Sequence, residues 1–554
     1  MIFILLVGFI SVWLKLTLAN RLIYRGPDQV VLNDAETLAK VPEEFVTLPL
    51  DHTNAAASTF PNRFFVKADW YKKGGPVFLY DGGEGAADTS YIKGNSKTSY
   101  ENLSFFERFL KDHGGLGIVW EHRYYGKSLP PGRNLEQSKE EDFKYLTIQQ
   151  ALFDVVAFAR SFSRSGTPFD GLDLTPAKTP WIFVGCSYPG SRAALMRVAH
   201  PDTIFASYAA SAPVQATVAM SSYWEPTWSG MRKYGYSNCT ADMHAAIVAI
   251  DAQLSKSATD AFNIKRQIFG CTDPALSDGN FASSLSNLWT TWQLYDMNPD
   301  PADPPRPGIK QMCDFISYNP DTKSYSDAGG WAKVHRNGVD FTLGRLRSWP
   351  GFTTQASFNE TQISCPSTPP SASVRCEKND DVDSISWKYQ YCTELGYWQV
   401  GNPGNSQIVS KFYDLNFFRQ QCLCQFQYAG KGPRAIPDTP RADLINQKYG
   451  GWNMRPSRTF FTVGEFDPWR TLSPLKVDNT TIPDCEASTA PGTPLFGKVL
   501  SNKQHCGDFD KKDPDASAAH KVFSAALKKW LCCYAEKNKG NLNNGAKDVL
   551  CPKL

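Results

Sequence analysis

The sequence carries little net charge and little histidine. Its 58 Lys and Arg residues nearly balance 55 Asp and Glu residues, which leaves a net charge of +3 over 554 residues. A nucleic-acid-binding surface needs a marked basic excess, so this balance argues against a nucleic-acid partner. The chain has eight histidines, and neither Cys422-Leu423-Cys424 nor Cys532-Cys533 has histidines nearby at the spacing of a metal site. We therefore predict neither a structural metal nor a cofactor.

Long apolar runs are absent except at the amino terminus. Residues Met1–Ala19 are apolar almost throughout, and Thr17-Leu18-Ala19 offers a small-residue cleavage site. This pattern predicts a secretory signal peptide over residues 1–19. Because basic residues are scarce before Lys15, an uncleaved amino-terminal anchor is the alternative interpretation. No other stretch approaches the roughly 20 apolar residues of a membrane span, so we expect a soluble mature protein with no membrane partner.

Cysteine, by contrast, is plentiful, with 14 residues in the chain. In a chain that enters the secretory route, this number predicts disulfide bonds. Cys186 lies at the end of an apolar run, and we predict it to be a small buried residue without a disulfide partner. An odd number would then remain, so at least one further cysteine is expected to be free. The expected compartment is extracellular, or the lumen of a vacuole or lysosome. Glycosylation sequons fit this expectation and lie at Asn102, Asn238, Asn359 and Asn479.

The length of the chain exceeds what one hydrophobic core normally supports, so more than one domain is expected. Strand-like and helical patterns alternate in the first part of the chain; apolar residues recur every three or four positions between Leu146 and Phe162, for example. This alternation predicts an α/β domain with a parallel sheet over residues 20–213, which resumes over 441–554. Residues 214–440 lack strand-like runs and hold many cysteines, which predicts a mainly helical, disulfide-bearing insertion.

One stretch combines a buried strand with a sharp turn. Four apolar residues from Trp181 lead to Gly185 and then Ser187, and a helix-compatible run follows. A serine on a strand-to-helix elbow is exposed beside helix N–H groups, which is the position of a nucleophile. The usual signature is G-x-S-x-G, whereas the second glycine here is Gly190, one residue later, so a chance match is the alternative.

A serine nucleophile needs a base and an acid that orients the base, in the order Ser, Asp, His along an α/β-hydrolase chain. Two histidines follow the last predicted strand. His520 falls within a helix, whereas His505 lies in the loop before it, so His505 is the predicted base. Asp467 ends a strand and precedes a proline that stiffens the turn, so it is the predicted acid, with helix capping as the alternative. Four other aspartates lie in polar loops and are expected to be solvated: Asp478, Asp484, Asp508 and Asp510.

The oxyanion of an acyl-transfer reaction needs N–H donors. Tyr188, the residue after the serine, offers its backbone N–H. The Gly82-Gly83-Glu84 loop after an earlier strand is the predicted source of a second donor, which we assign to Gly83. A simple glycine turn is the alternative for this loop.

Several further motifs follow one another in a fixed order. They are Gly83-Glu84-Gly85, Glu121-His122-Arg123-Tyr124-Tyr125-Gly126-Lys127-Ser128, Tyr145-Leu146-Thr147, Gln150-Ala151-Leu152, Gly185-Cys186-Ser187-Tyr188-Pro189-Gly190, Tyr391-Cys392-Thr393-Glu394, Asp467-Pro468-Trp469, and His505 with Asp508. The chain thereby resembles the serine peptidase family of lysosomal Pro-Xaa carboxypeptidase, dipeptidyl peptidase II and thymus-specific serine protease, over about residues 45 to 530. It departs at Cys186, where glycine is more usual, and at Pro189, where glycine or serine is common.

The resemblance implies an α/β-hydrolase domain interrupted by a large, mainly helical, disulfide-bearing domain that caps the active site. It also implies a triad of Ser187, Asp467 and His505, and cleavage after proline in peptide or protein substrates. Glu84 is a candidate for receiving a free substrate amine. Trp469 is a candidate wall of an apolar proline pocket, with ordinary core packing as its alternative.

The mode of cleavage and the class of function stay open at this point. Carboxypeptidase, dipeptidyl-peptidase and endopeptidase modes all occur among the family members, so the sequence does not choose between them. An esterase or lipase is a second hypothesis, since the fold carries both chemistries. A non-catalytic binding protein is a third, against which the complete Ser, Asp and His set argues. The oligomeric state is also open, with a homodimer among the alternatives.

Overall fold

A computed structural model describes residues 41–269, 276–301, 305–334, 337–356, 378–430, 434–486, 489–490, 492–510 and 512–552. The predicted signal peptide, the Asn359 sequon and three cysteines (Cys271, Cys365 and Cys376) lie outside the described residues. Within the described ranges, no helix has the length and apolar character that a membrane crossing requires.

A central eight-stranded sheet organises the protein. Its strands are, in chain order, β1 (Glu43–Pro49), β2 (Thr59–Lys67), β3 (Val77–Asp81), β4 (Leu116–Trp120), β5 (Trp181–Cys186), β6 (Ala206–Ala210), β7 (Thr459–Gly464) and β8 (Gly497–Leu500). In space they follow the order β1-β2-β4-β3-β5-β6-β7-β8. Strand β2 is antiparallel to both of its neighbours, and every other adjacent pair is parallel. This arrangement is an α/β-hydrolase fold, as predicted.

Four helices cover the two faces of the sheet. They are α1 (Phe105–His113), α2 (Ile148–Ser161), α3 (Tyr188–Ala199) and α4 (Pro514–Lys537). Helix α2 lies within the span that its apolar periodicity predicts. Helix α1 begins with a reciprocal capping box between Ser104 and Glu107 and ends at Gly114, which adopts a left-handed φ of 59°. A short helix, Ala546–Leu550, follows α4.

The segment between β6 and β7, which we call the cap segment, is mainly helical in its described residues. Disulfides Cys239–Cys313 and Cys392–Cys422 cross-link it. Its strands form two small pairs, Thr217–Ala219 with Gly396–Trp398 and Tyr318–Asn319 with Ser324–Tyr325. Its described helices are Glu225–Lys233, Ser237–Lys256, Ala258–Phe269, Asp278–Ser286, Trp292–Tyr295, Ile309–Ile316, Trp331–Val334, Gly338–Ser348, Phe352–Ala356, Val382–Gln390, Leu415–Gln425 and Ala442–Tyr449.

Two hydrophobic cores lie on opposite faces of the sheet, because successive side chains of a strand point to opposite sides. Leu79 and Phe183 enter one core with side chains of α2, α3 and the cap segment. Phe78 and Ile182 enter the other core with side chains of α1 and α4. The cap segment therefore shares a continuous core with one face of the sheet. Strands β3, β4 and β5 are buried along their whole length, which explains their continuous apolar sequences.

Candidate active site

Ser187 lies at the sharp turn between β5 and α3. Its backbone has φ 67° and ψ −131°, a conformation that non-glycine residues rarely adopt. The Ser187 N–H donates to the Ala210 carbonyl oxygen of β6 at 3.0 Å. This turn places a partly exposed serine beside the first N–H groups of α3, which have no intrahelical partner. The residue thus has the setting that the strand-to-helix pattern predicts.

Close packing explains the unusual position of the second glycine in the elbow. A Cβ on Gly190 would lie 2.2 Å from the Ala210 carbonyl oxygen, and a Cβ on Gly185 would lie 2.5 Å from the backbone of Pro189. Neither site has room for a side chain, because α3 packs directly against β5 at Gly185 and against β6 at Gly190. The glycine that follows Pro189 is therefore required by the contact between helix and sheet.

His505 and Asp467 form a buried pair at the carboxyl ends of the strands. Nδ1 of His505 lies 2.9 Å and 3.0 Å from the two carboxylate oxygens of Asp467. The His505 and Asp467 side chains are fully enclosed. Asp467 also accepts a hydrogen bond from the Trp469 N–H at 2.8 Å. A carboxylate at Nδ1 keeps the ring proton there, so Nε2 is the basic nitrogen of this imidazole.

The prediction that Cys186 has no disulfide partner is wrong. Cys186 forms a disulfide with Cys506, 320 residues further along the chain, with a Cα–Cα distance of 6.0 Å. No cysteine in the described part of the chain is free, so the expected additional free cysteine is not found there either. The apolar run around Cys186 correctly predicts burial, but it carries no information about so distant a partner.

This disulfide joins the residue before Ser187 to the residue after His505. The two cysteine sulfur atoms and one His505 ring nitrogen lie within 4.8 Å of one another. Because both sulfur atoms are bonded in the disulfide, they are not thiolate ligands for a metal. The bond brings the loop that carries His505 over β6 and β7 to the end of β5.

The loop after β3 packs against the elbow. Asp81 forms a buried ion pair with Arg192 of α3 at 2.6 Å. Gly83 has a left-handed φ of 70°, and a Cβ there would lie 2.4 Å from Cγ of Pro189. The Gly83 N–H, the predicted second oxyanion donor, donates to Oδ1 of Asp81 at 3.2 Å. In this structure, an oxyanion would therefore compete with Asp81 for that donor.

Glu84 and Ser187 line the same small cavity, together with Gly82, Gly85 and Pro189. Burial raises the pKa of the half-buried Glu84 carboxyl to about 7, and the charge of Asp81 adds to the increase. The nearby His505 acts in the opposite direction. The site therefore contains a carboxyl group that changes charge near neutral pH.

One helix of the cap segment, Val382–Gln390, is hydrogen-bonded to the elbow. Nε2 of Gln390 donates to the Tyr188 hydroxyl at 2.7 Å. Oε1 of Gln390 accepts a hydrogen bond from the Tyr125 hydroxyl. Nε2 of His122 lies 3.1 Å from the same Tyr188 hydroxyl. All four side chains are buried, so the side chain of the residue after Ser187 is fixed from two directions.

The same helix supports the loop after β3. Asp383 accepts hydrogen bonds from the Ala86 N–H at 2.9 Å and from the Gly126 N–H at 2.8 Å. Glu121, buried at the end of β4, accepts from the Ala87 N–H at 2.9 Å and also pairs with Arg63. The motif that begins at Glu121 thus stabilises the loop after β3, which lines the cavity of Ser187. Sequence reasoning assigned it no role, although a buried strand that ends in charged residues was a usable signal.

An aromatic cluster borders the His505 side of the site. The Trp469 ring centroid lies 6.3 Å from that of His505, 5.5 Å from Tyr223 and 5.2 Å from Tyr397. Gln293 of the cap segment accepts hydrogen bonds on Oε1 from Trp469 Nε1 and from the Tyr223 hydroxyl, at 3.0 and 2.7 Å. Its backbone carbonyl accepts the His505 N–H at 3.2 Å. Sequence reasoning missed Gln293, since no local pattern distinguishes it.

The remaining predicted residues divide into two groups. His520 is buried and stacks on Phe105, with ring centroids 5.6 Å apart, which fits its structural interpretation. The prediction that Asp508 is solvated is wrong. It is buried and accepts hydrogen bonds from Tyr208 and Thr462, at 2.6 and 2.8 Å. These two hydroxyl groups lie on β6 and β7, which are distant in sequence from Asp508. The polar sequence of the loop therefore gave no indication that Asp508 is buried.

The three sequons within the described residues have different surroundings. Asn102 is exposed. Asn479 is half-buried and pairs with Gly497 through backbone hydrogen bonds. Asn238 is half-buried near the start of helix Ser237–Lys256, and its side-chain oxygen accepts the Cys239 N–H at 2.8 Å. Asn102 therefore offers the most open acceptor for a glycan among these three.

Comparison with known proteins assigns this chain to a family. A family model described as serine carboxypeptidase S28 matches residues 49–517. Serine protease vicPa of Bipolaris victoriae is 26% identical over 530 residues, which cover 91% of each chain. The lysosomal Pro-X carboxypeptidase of Homo sapiens is 25% identical over 485 residues, covering 84% of this chain and 86% of the relative. A probable extracellular serine carboxypeptidase of Arthroderma benhamiae is 26% identical over 470 residues, covering 80% and 60%. The chain therefore belongs to the serine carboxypeptidase S28 family and is a serine-type peptidase.

Proposed function

We propose that this protein is a secreted serine peptidase that hydrolyses peptide bonds on the carboxyl side of proline, near an end of the substrate chain. In this proposal, Ser187, Asp467 and His505 form the catalytic triad. The observation that carries the proposal is the buried His505–Asp467 pair, which one disulfide links to the elbow of Ser187. Family membership supports peptide bonds rather than carboxylic esters as the substrate.

The chemistry follows from the positions of these three residues. Ser187 Oγ attacks the scissile carbonyl carbon while His505 Nε2 takes the hydroxyl proton. The imidazolium that forms is stabilised by Asp467 and then gives its proton to the leaving amine, which departs as the C–N bond breaks. Water, deprotonated by His505, then hydrolyses the acyl-enzyme and restores Ser187.

The oxyanion that forms from the scissile carbonyl needs hydrogen-bond donors next to Ser187. The Tyr188 N–H lies at the first position of α3, where helix geometry leaves it without an intrahelical acceptor. Gly83 is the proposed second donor, which requires its hydrogen bond to be transferred from Asp81 to the oxyanion. Each such donor contributes on the order of 3 kcal/mol to transition-state stabilisation.

We assign proline recognition to the aromatic cluster beside His505. Trp469, Tyr223 and Tyr397 present apolar ring surface next to the proposed base, and Gln293 fixes two of these rings. A proline ring has no N–H to satisfy and packs well against flat aromatic faces. Tyr223, Tyr397 and Gln293 lie in the cap segment, which we assign to a cap domain over residues 214–440, between hydrolase parts 20–213 and 441–554. In this proposal, the cap segment thus supplies specificity.

Glu84 is proposed to receive the amino group of a substrate with a free amino terminus. Its carboxyl lines the same cavity as Ser187, which fits an exopeptidase that binds the end of the substrate chain close to the bond it cleaves. The human relative is named a Pro-X carboxypeptidase, and in that mode the free group would be a carboxylate instead. Secretion, or delivery to a vacuole or lysosome, is proposed from the signal-peptide pattern and from the extracellular and lysosomal names of two relatives.

The test is product profiling of a proline-containing peptide library by mass spectrometry, with p-nitrophenyl esters in parallel. We expect cuts after proline close to one terminus for the wild-type enzyme and none for Ser187→Ala of equal thermal stability. Hydrolysis retained by Ser187→Ala would overturn the triad. Internal cuts after proline would identify an endopeptidase, and cleavage of short acyl esters without peptide products would identify an esterase.

A further inference from the structure

The disulfide between Cys186 and Cys506 differs from the other described disulfides in what it connects. It spans 320 residues, whereas the other described disulfides span 74, 30, 48 and 19. Its two cysteines are the immediate neighbours of Ser187 and His505 in the sequence. Both are buried, with exposed fractions of 5% and 0%. One covalent bond thus joins the immediate neighbours of the two residues that exchange a proton in the proposed function.

We infer that the Cys186–Cys506 disulfide is a positioning element that sets the placement of His505 against Ser187 during catalysis. The inference rests on the proposed function of these two residues. Cys186 lines the small cavity of Ser187, but its sulfur is bonded to that of Cys506, so the inference gives the two cysteines no chemical step and lets them act through their neighbours.

The sheet topology explains why such a bond is needed. Ser187 follows β5, whereas His505 lies in the loop after β8, and β6 and β7 separate these two strands in the sheet. The loop must cross the ends of both intervening strands to reach the elbow. Strands β5 and β8 are not paired directly, so sheet hydrogen bonds fix their relative position only through β6 and β7, and they do not fix the loop that leaves β8.

Non-covalent support for the crossing loop comes from the Asp467 carboxylate at His505 Nδ1, from two hydroxyl groups that donate to Asp508, and from two backbone N–H groups of the loop. The Cys506 N–H donates to Oγ of Ser211 at 2.9 Å, just after β6. The His505 N–H donates to the Gln293 carbonyl of the cap segment at 3.2 Å. Neither bond contacts the elbow itself. Among the described contacts of this loop, the disulfide is the direct connection to β5.

Backbone strain on both sides makes the placement sensitive to this bond. Ser187, the neighbour of one cysteine, has φ 67°, and Cys506, the other cysteine, has φ 54° and ψ 29°, so each end of the connection has a residue in the left-handed half of φ space. Such conformations persist where the surroundings enforce them. Releasing the bond would let either turn relax, and a shift of about 1 Å between base and nucleophile costs roughly 100-fold in rate.

A matched control is available at the opposite end of the same strand. Cys485–Cys533 borders a cavity that is lined by Trp181, the first residue of β5. It therefore cross-links the same domain, but it lies at the amino end of β5 instead of the end that carries Ser187. Removing it should lower thermal stability without moving the proposed triad.

The experiment compares C186A/C506A with C485A/C533A and wild type, all assayed well below their melting temperatures. A fluorophosphonate probe measures the rate constant for labelling Ser187, and one proline peptide gives kcat and KM separately. We expect labelling and kcat of C186A/C506A to fall by about 10- to 100-fold with KM changed less than about twofold, while C485A/C533A keeps wild-type rates. Wild-type labelling and kcat in a folded C186A/C506A variant would overturn the inference.

A second measurement covers the case in which C186A/C506A does not fold. Purified wild-type enzyme is reduced with dithiothreitol, which gives two thiols per disulfide and is itself oxidised to a cyclic disulfide. Separate aliquots are alkylated, so that mass spectrometry follows each pair. Labelling should fall as Cys186 and Cys506 become reduced and recover on reoxidation; an unchanged rate after their reduction would overturn the inference. Ser187→Ala, tested with the same probe, distinguishes failure of this inference from failure of the proposed function. Continued labelling of Ser187→Ala would show that Ser187 is not the nucleophile, which overturns the proposed function itself.

Discussion

The side-chain amide of Gln390 donates to the hydroxyl of Tyr188 at 2.7 Å. Gln390 ends a helix of the cap segment, and Tyr188 is the residue that follows Ser187. The cap segment is therefore connected by a buried hydrogen bond to the residue whose N–H is the proposed oxyanion donor. Movement of this cap helix is therefore transmitted to Tyr188 through Gln390 and through the ring of Trp387, whose centroid lies 5.5 Å from that of Tyr188.

The first prediction concerns this contact. Gln390→Leu removes the buried acceptor of the Tyr125 hydroxyl, which costs about 1 to 3 kcal/mol of folding stability. It also removes one of the two partners of the Tyr188 hydroxyl, which keeps His122. We expect a lower free energy of unfolding together with a roughly tenfold lower kcat, because Tyr188 is held less firmly. Denaturant unfolding and steady-state kinetics measure both. Gln137→Leu, at an exposed position, is the control, and equal behaviour of the two variants would contradict the prediction.

The second prediction tests the acid of the triad. Asp467→Asn keeps an oxygen for the Trp469 N–H but offers no negative charge to His505 Nδ1. We expect kcat to fall by about 10⁴-fold, with a melting temperature close to that of wild type, because the tautomer and the imidazolium lose their support. Peptide kinetics and calorimetry measure these quantities. Asp548→Asn, on an exposed position, should leave kcat unchanged; a reduction of less than about tenfold for Asp467→Asn would remove it from the triad.

The third prediction compares two glycines in helices. A Cβ at Gly190 would collide with the Ala210 carbonyl oxygen at 2.2 Å, whereas a Cβ at the exposed Gly344 meets nothing within 4 Å. Gly190→Ala should therefore destabilise the protein and reduce activity, because α3 must move away from β6 and take Ser187 with it. Gly344→Ala should stabilise it by up to about 1 kcal/mol, as alanine is the better helix former. Melting temperatures that change in the same direction would refute the packing argument.

The fourth prediction concerns pH and stability. Burial raises the pKa of Glu394 to about 7, although its carboxylate accepts the Ile148 N–H at 2.8 Å. Between its ordinary value of 4.5 and about 7, the folded state keeps a proton that the unfolded state has released. Stability contributed by this group is therefore complete at acidic pH and falls as the pH rises through that window, by at most about 3 kcal/mol.

Glu394→Gln should remove this loss, so that its free energy of unfolding falls less steeply with pH than that of wild type. Chemical unfolding at pH values of about 4.5, 6 and 7.5 gives the slopes. The exposed Glu136→Gln provides the control. Parallel slopes for wild type and Glu394→Gln would show that this carboxyl does not titrate in the folded state as described.

The fifth prediction addresses Glu84 and the cleavage mode. With a pKa of about 7, this carboxyl is neutral at pH 5 and gains its charge as the pH rises through 7. Its attraction for a protonated substrate amine therefore grows up to the ordinary pKa of the amine, about 7.7 to 8.0, and falls above it. The measurement compares a proline peptide that has a free amino terminus with the same peptide acetylated at that terminus. For the free-amine peptide, kcat/KM should rise through about pH 7 more than it does for the acetylated peptide, and Glu84→Gln should abolish the difference. Identical pH profiles for both peptides in the wild-type enzyme would exclude amine recognition by Glu84.

Local pattern and chain order were enough to predict the fold class and the pairing of His505 with Asp467. The buried strand before Ser187 and the strand before Asp467 are continuous apolar runs, and a single histidine lies in the right loop after the last strand. Parallel strands then bring the ends of these runs to one edge of the sheet. The structure places His505 against Asp467 at that edge, as the order of the residues predicted.

The contacts that support the site could not be predicted in the same way. Cys186 finds its partner 320 residues away, Asp508 accepts hydrogen bonds from two strands, and Gln390 reaches Tyr188 from the cap segment. Each of these depends on which distant segments meet, which neither hydrophobic period nor residue type encodes. The error at Cys186 has the same origin, since its local sequence describes burial and not pairing.

The interrupted sheet also has a consequence for biosynthesis. Strand β6 pairs with β7, whose residues are translated only after the whole cap segment. Until then the growing chain has an open sheet edge at β6, which is exposed to wrong pairing while the cap segment forms its shorter disulfides. Asp467, His505 and Cys506 emerge after that segment as well. If these residues act as proposed, no hydrolytic activity can be assembled until β7 and β8 have been translated, so the order of translation itself delays the activity of the peptidase.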